Sequence, residues 1–126
     1  RGGPLGGSAR SPACGPRRGD DGPQISVDEL QADLEAEVPL IDVRERDEYE
    51  LAHVPGAILV PLTQLPERLG AIPTEEPVNL ICRSGARSQR AAQFLIGQGY
   101  LPRNVTGGTD AWINVGFRVE TGPPSA

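Results

Sequence analysis

Short apolar runs alternate with amphipathic stretches along residues 24–121, and this alternation sets the predicted elements. Val27, Leu30 and Leu34 recur at helical spacing behind Ser26, and Glu29 completes a capping box with that serine. A helix running to about residue 36 follows. Residues 39–43 are an apolar run after a proline and read as a buried strand. Residues 44–50 are charged around Tyr49 and predict a short helix. His53-Val54-Pro55-Gly56 is a turn, and residues 57–60 are a second buried strand stopped by Pro61. Leu62, Leu65 and Leu69 give a helical turn or two, kept short by Pro66 and Pro73. Residues 78–81 form a third strand leading into Cys82. Residues 88–98 place Ala91, Ala92, Leu95 and Ile96 on one face and predict the best helix, ended by Gly97 and Gly99. A short strand at 105–106, a short helix over 109–114 and a closing segment at 117–119 complete the chain.

Strands without a polar face that alternate with helices describe a small, mostly parallel sheet with helices on both faces. The fold class is α/β, with no internal repeat. Composition marks the ends of this domain. Residues 1–23 are crowded with glycine, proline and arginine, and Leu5 is their one large aliphatic side chain. Such a segment buries too little apolar surface to offset its ordering entropy, so it is expected to be disordered. The domain then covers 24–121, with a flexible C-terminus over 122–126.

Charge and cysteine content narrow the function classes. The net charge is −5, and the first 23 residues contribute about +2, so the body is strongly acidic. Nucleic acid is thereby disfavoured as a partner. No run reaches the ~18 apolar residues of a membrane span, and no membrane partner is expected. Two cysteines, Cys14 and Cys82, and one histidine make neither a disulfide framework nor a zinc site. Reduced thiols point to a cytoplasmic setting.

Cys82 is where chemistry concentrates. It ends an apolar strand and is followed by Arg83-Ser84-Gly85-Ala86-Arg87-Ser88 and a strong helix. In open parallel sheets, ligands bind beyond the carboxyl ends of strands. A compact loop there turns backbone N–H groups inward as an anion nest, and the helix N-terminus points at the same spot. Thiolate is favoured at such a place, with Gly85 letting the loop close. Arg83 and Arg87 add permanent charge able to grip an oxyanion. An inert core cysteine is the bland alternative, but two arginines beside it would be costly to desolvate.

The sequence here resembles the rhodanese family. Ile41-Asp42-Val43-Arg44-Glu45, Glu48-Tyr49 and His53-Val54-Pro55-Gly56-Ala57 are similar to its N-terminal signature. The stretch from Cys82 to Ser88 resembles its active-site loop. Gly107-Gly108, Ala111-Trp112, Gly116 and Val119 resemble its C-terminal signature. Ala52 departs from the glycine the family usually carries before the histidine, and Asn114-Val115 precede Gly116 where alanine is common. The resemblance implies a single-domain thiosulfate sulfurtransferase. Cys82 would take sulfur from a small anionic donor, hold it as a persulfide and pass it to cyanide, a thiol or a sulfur-accepting protein. It implies no cofactor beyond that covalent intermediate, and no metal. Backbone N–H groups of Ser84, Gly85, Ala86 and Ser88 would cradle the sulfur, and Arg83 and Arg87 would position the donor.

Two rivals share the fold. Cysteine-dependent phosphatases and arsenate reductases commonly place one residue more between cysteine and arginine; here residues 83–86 separate Cys82 from Arg87, and Ile81 precedes the cysteine. Inactive rhodanese-like interaction modules commonly lack the cysteine that this chain keeps. His53 reads as a structural residue fixing its turn, because nothing nearby completes a triad. Asp42, Arg44 and Glu48 read as an ion-pair network at the sheet end, and Trp112 as a packing anchor. Cys14 reads as incidental.

Overall fold

A computed structural model describes residues 23–124 of the chain. The expected disordered segment lies outside the described residues except for Pro23, and Cys14 lies outside them too. The strands are β1 (Gln24–Ile25), β2 (Leu40–Asp42), β3 (Ile58–Leu59), β4 (Val78–Ile81) and β5 (Pro102–Val105). The helices are α1 (Val27–Glu35), α2 (Arg46–Leu51), α3 (Ala86–Gly97) and α4 (Gly108–Asn114), with a 3-10 segment at Leu62–Ala71. The strands make one sheet in the order β1-β5-β4-β2-β3, and every pairing is parallel.

Side chains leave the two faces of this sheet alternately and found two cores. On one face Ile41, Val78 and Leu80 pack with Ala91, Ala92 and Leu95 of α3 and Leu65 of the 3-10 segment. On the other, Leu40, Ile81 and Val105 meet Val27 and Leu30 of α1, Tyr49 of α2 and Trp112 of α4. Helices thus cover both faces, as the α/β pattern predicts. The Ser26–Glu29 capping box forms as expected, and the Trp112 indole N–H donates to the Arg118 carbonyl at 2.8 Å.

Several elements differ from the sequence reading, each for a physical reason. Strand β1 was not expected; it is two residues long and exists through pairing with β5, where Asn104 donates to the Pro23 carbonyl at 3.0 Å. Strand β5 starts at Pro102 instead of 105. Its Arg103 and Asn104 break the apolar pattern, and Arg103 is satisfied by Asp33 at 2.9 Å and Asn79 at 3.0 Å. Strand β3 is not a buried strand: it is the sheet edge, and Ile58 is half exposed. Helix α3 begins two residues early, at Ala86, because Gly85 turns the chain at φ 110°. The closing segment at 117–119 leads to Glu120, which bridges His53 antiparallel through bonds of 2.8 and 2.9 Å. Ala52, where a glycine is usual, sits at φ −172°, an extended backbone open to any residue. At the far end of the chain, Gly122 donates to the Glu50 carbonyl at 2.9 Å.

One local conflict is informative. Helix α1 ends in a Schellman arrangement, with Val38 N–H on the Asp33 carbonyl at 2.9 Å and Glu37 N–H on Leu34 at 3.1 Å. That geometry puts Glu37 at φ 64°, in the left-handed region that glycine occupies at no steric cost. Glu37→Gly is therefore expected to raise stability by roughly 0.5–1 kcal/mol, the relief of strain exceeding the added chain entropy. A urea melt with an unchanged slope and a higher midpoint checks it; a lower midpoint refutes it.

Candidate active site

The site is built where β4 stops. Cys82 follows Ile81 directly, and α3 starts four residues later, so residues 82–85 must reverse direction within a very short loop. What fixes the loop comes from a distant part of the chain. The Cys82 carbonyl accepts the Thr109 N–H at 2.8 Å and the Thr109 hydroxyl at 3.0 Å. The Arg83 carbonyl accepts the Asp110 N–H at 3.0 Å. A trans peptide is planar, with C=O and N–H pointing opposite ways. The Arg83 carbonyl shares its peptide with the Ser84 N–H, so tying it to the start of α4 turns that amide the other way, toward the sulfur.

Gly85 N–H donates to Cys82 Sγ at 3.1 Å, and the N–H groups of Ser84 and Ser88 also bear on the sulfur. The Ser88 hydroxyl lies 3.3 Å from it. Helix α3 has no side-chain cap of its own kind at Gly85, and the Cys82 sulfur takes that place. Burial of Cys82, 1% exposed, pushes its thiol pKa up. The Ser88 hydroxyl and the N–H groups of Ser88, Gly85 and Ser84 together overcome that penalty and set it below the ordinary cysteine value.

The arginines occupy different environments. Arg87 lies at the side of α3 in a two-pronged pair with Glu48, both contacts at 2.8 Å. That pair holds the Glu48 carboxyl down to about 2 and raises Arg87 further. Arg83 is largely exposed, with Nε 3.5 Å from Asp110. Beside the loop lies a pocket of about 200 Å³ lined by residues that include Arg44, Glu48, Arg83 and Thr109.

The expected network of Asp42, Arg44 and Glu48 is divided in the structure. Asp42 and Arg44, both buried, pair with each other at 2.8–3.1 Å, and Arg44 also donates to the Ala52 carbonyl at 2.8 Å. Glu48 belongs to Arg87 instead. His53 is buried, stacked on Tyr49 with ring centroids 3.7 Å apart, and its Nδ1 donates to the Tyr49 carbonyl at 2.7 Å. This fixes its turn, the structural role its sequence context suggests.

Sequence reasoning missed the roles of four residues. Thr109 and Gly108 were seen only as parts of a motif or helix, and the pair Gly107-Gly108 was the available signal. Asn104, buried on β5, bonds Ser88 and carries no sequence signal beyond a polar residue in a strand. Glu48 lies 39 positions from Arg87, and nothing local announces their pairing.

Gly108 tests the geometry. At φ 60°, a Cβ on it would lie 2.5 Å from the Cys82 carbonyl oxygen and 2.6 Å from that of Arg83. Gly108→Ala must push α4 off the loop. We expect a loss of about 1–3 kcal/mol in a urea melt and a rise in the pH at which Cys82 alkylates. A folded variant with the parent's alkylation profile would show that α4 does not orient the amides.

Known proteins agree with this geometry. The Rhodanese-like domain family model matches residues 26–115. A protein of Allochromatium vinosum named "Sulfurtransferase" is 37% identical over 95 residues, covering 75% of this chain and 88% of that one. A Bacillus subtilis protein named "Putative sulfur carrier protein YrkF" is 35% identical over 80 residues, 62% of this chain, and this chain spans only 43% of it. The crystal structure of a thiosulfate sulfurtransferase from Pseudomonas aeruginosa superposes with a TM-score of 0.74 at 28% identity, covering 82% of this chain and 21% of that one. With its motif order, its parallel sheet and its cysteine loop all in place, this chain belongs to the rhodanese-like domain family.

Proposed function

We propose that the protein moves sulfane sulfur through a persulfide on Cys82, from thiosulfate or a persulfide donor to cyanide or a thiol. The observation that carries this reading is the sulfur's seat in a ring of donors, with Gly85 N–H at 3.1 Å. The thiolate attacks the outer sulfur of thiosulfate. A Cys82 S–S bond forms, the donor's S–S bond breaks, and its electron pair leaves with sulfite. The charge then rests on the outer sulfur of the persulfide. Cyanide or a thiolate attacks that sulfur, giving thiocyanate or a new persulfide and returning the Cys82 thiolate. The hydrogen bonds to Sγ favour the ionised nucleophile and sulfite is a good leaving group, so the step calls for no general base. The ring's dipoles act on a sulfur shut off from bulk water, where preorganised donors are worth most.

The arginines supply attraction for the anion. Glu48 takes two N–H groups of Arg87, and a guanidinium has five, so donors remain for an incoming anion. Arg83 adds charge on the rim of the neighbouring pocket. Leu51 and Ile113 line the same pocket and are well exposed, which suits a protein as sulfur acceptor. Phosphate chemistry fits less well. Phosphatase loops commonly set one residue more between cysteine and arginine than the four, residues 83–86, found here, and this shorter ring is built around a single sulfur.

The test is direct. After incubation with thiosulfate, intact-mass measurement is expected to show the gain of one sulfur atom, absent in Cys82→Ser. Adding cyanide should then release thiocyanate. Equal turnover in the serine variant would remove the mechanism, and brisk phosphatase turnover would favour the rival. Arg87→Ala is expected to weaken apparent thiosulfate affinity about tenfold, as for a lost charged hydrogen bond, while Cys82 stays loadable. An unchanged KM counts against its grip on the donor.

A further inference from the structure

Ser88 is fully buried and has one hydroxyl hydrogen to give. Three acceptors surround it. Cys82 Sγ and the Gly85 carbonyl each lie 3.3 Å away, and Asn104 Oδ1 is closer than either. Asn104 sits on β5, 4% exposed. Its orientation is fixed by its neighbours: Nδ2 faces the Gly85 carbonyl at 3.3 Å, which can only accept, and Gln24 Oε1 at 3.0 Å. Oδ1 is left facing Ser88. Among the described residues, Ser88 is the donor that Asn104 Oδ1 has.

We propose that Asn104 is a positioning residue that competes with the ionised Cys82 sulfur for the single hydroxyl hydrogen of Ser88. The two protonation states of Cys82 use that hydrogen differently. As a thiol, Cys82 donates S–H to Ser88 Oγ while Ser88 donates to Asn104, and every polar atom in the row is satisfied. As a thiolate, the sulfur draws the Ser88 hydrogen to itself, and Asn104 Oδ1 is stranded in a buried place. Asn104 thus opposes the bare thiolate. Once sulfur is loaded, the charge moves off Sγ to the outer atom and the Ser88 hydrogen returns to Asn104. The contact therefore favours the loaded state over the empty, charged one.

The charged groups around the loop do not reproduce this effect. Arg87 of α3 is paired with Glu48 of α2, Arg83 of the loop with Asp110 of α4, and Asp42 with Arg44 at the end of β2. Asn104 is neutral, and replacing it by another neutral side chain leaves all these pairs in place.

The inference rests on Cys82 being the nucleophile proposed above, yet its test needs no turnover. In a Cys14→Ser background, the iodoacetamide alkylation rate of Cys82 is followed against pH. Asn104→Leu, similar in size and without an acceptor, is expected to lower the midpoint by roughly 0.5–1 pH unit. Ser88→Ala should raise it, and in that background Asn104→Leu should no longer move it. A midpoint that rises or stays put in a folded Asn104→Leu, or a shift that persists without Ser88, overturns the competition. Near-UV circular dichroism of Trp112 reports folding; if the leucine variant fails it, Asn104→Ala takes its place under the same criteria. A downward shift in a protein that never accepts sulfur from any donor sinks the sulfurtransferase reading alone. Sulfur loading without the shift sinks the Asn104 role alone.

Discussion

Two backbone carbonyls, those of Cys82 and Arg83, are held by the first amides of α4, and the chemistry of the loop follows from that tie. A loop free to choose its peptide orientations would expose some carbonyls to the sulfur and repel a charge there. With the Arg83 carbonyl pinned outward, the planar peptide leaves the Ser84 amide no direction but inward. The tie also explains why two glycines precede Thr109. Gly107 and Gly108 sit at φ 78° and 60°, and a side chain on Gly108 would collide with the very oxygens that α4 must reach. Anion binding by the loop is thus a tertiary property, made by packing the end of the domain against its middle.

The cost of this design is burial of an ionisable sulfur, and the direction of its shift shows which effect wins. Desolvation is the largest single influence on Cys82 and acts against the thiolate; only the combined hydrogen bonds reverse it. Because the folded value lies below the unfolded one, ionisation of Cys82 adds to stability above the unfolded thiol's pKa. That contribution fades as pH falls through the folded value. Glu48 follows the same rule in its own range: its pairing with Arg87 stabilises the fold above the ordinary carboxylate pKa and is lost as pH falls toward about 2. Glu48 therefore favours the fold at neutral pH, whereas the Cys82 contribution reaches its full size only on the alkaline side. The Asp42–Arg44 pair, by contrast, is buried, and loss of one partner there would strand a charge at a cost of about 3–5 kcal/mol.

Much of this is legible in the sequence. Apolar runs of four or five residues gave β2 and β4, because fully buried parallel strands have no polar face to confuse the pattern. The loop was legible because Cys82, Gly85 and the two arginines are adjacent in sequence. Strand β1 was invisible because its stability comes from β5 and not from its own two residues. Strand β5 was displaced by Arg103 and Asn104, whose polarity is answered by Asp33, Asn79 and Ser88 far away in sequence. The same reason hid the Glu48–Arg87 pair. Periodicity reports what a segment buries; it does not report which distant polar group will meet it.

Glu48 shows how far such remote support extends. It stands on α2, and α2 is held from both sides. The Tyr49 hydroxyl donates to the Ala57 carbonyl at 2.7 Å, while its ring stacks on His53. His53 in turn exchanges both backbone bonds with Glu120, and Gly122 donates to Glu50. The C-terminal segment therefore clamps the helix whose Glu48 fixes Arg87 beside the loop. His53 bonds to Tyr49 and Glu120 and not to the loop, yet loosening its stack would free α2 and, through Glu48, the orientation of Arg87. A histidine can thus matter to a site without taking part in its chemistry, because the helix it braces carries the carboxylate that aims the arginine.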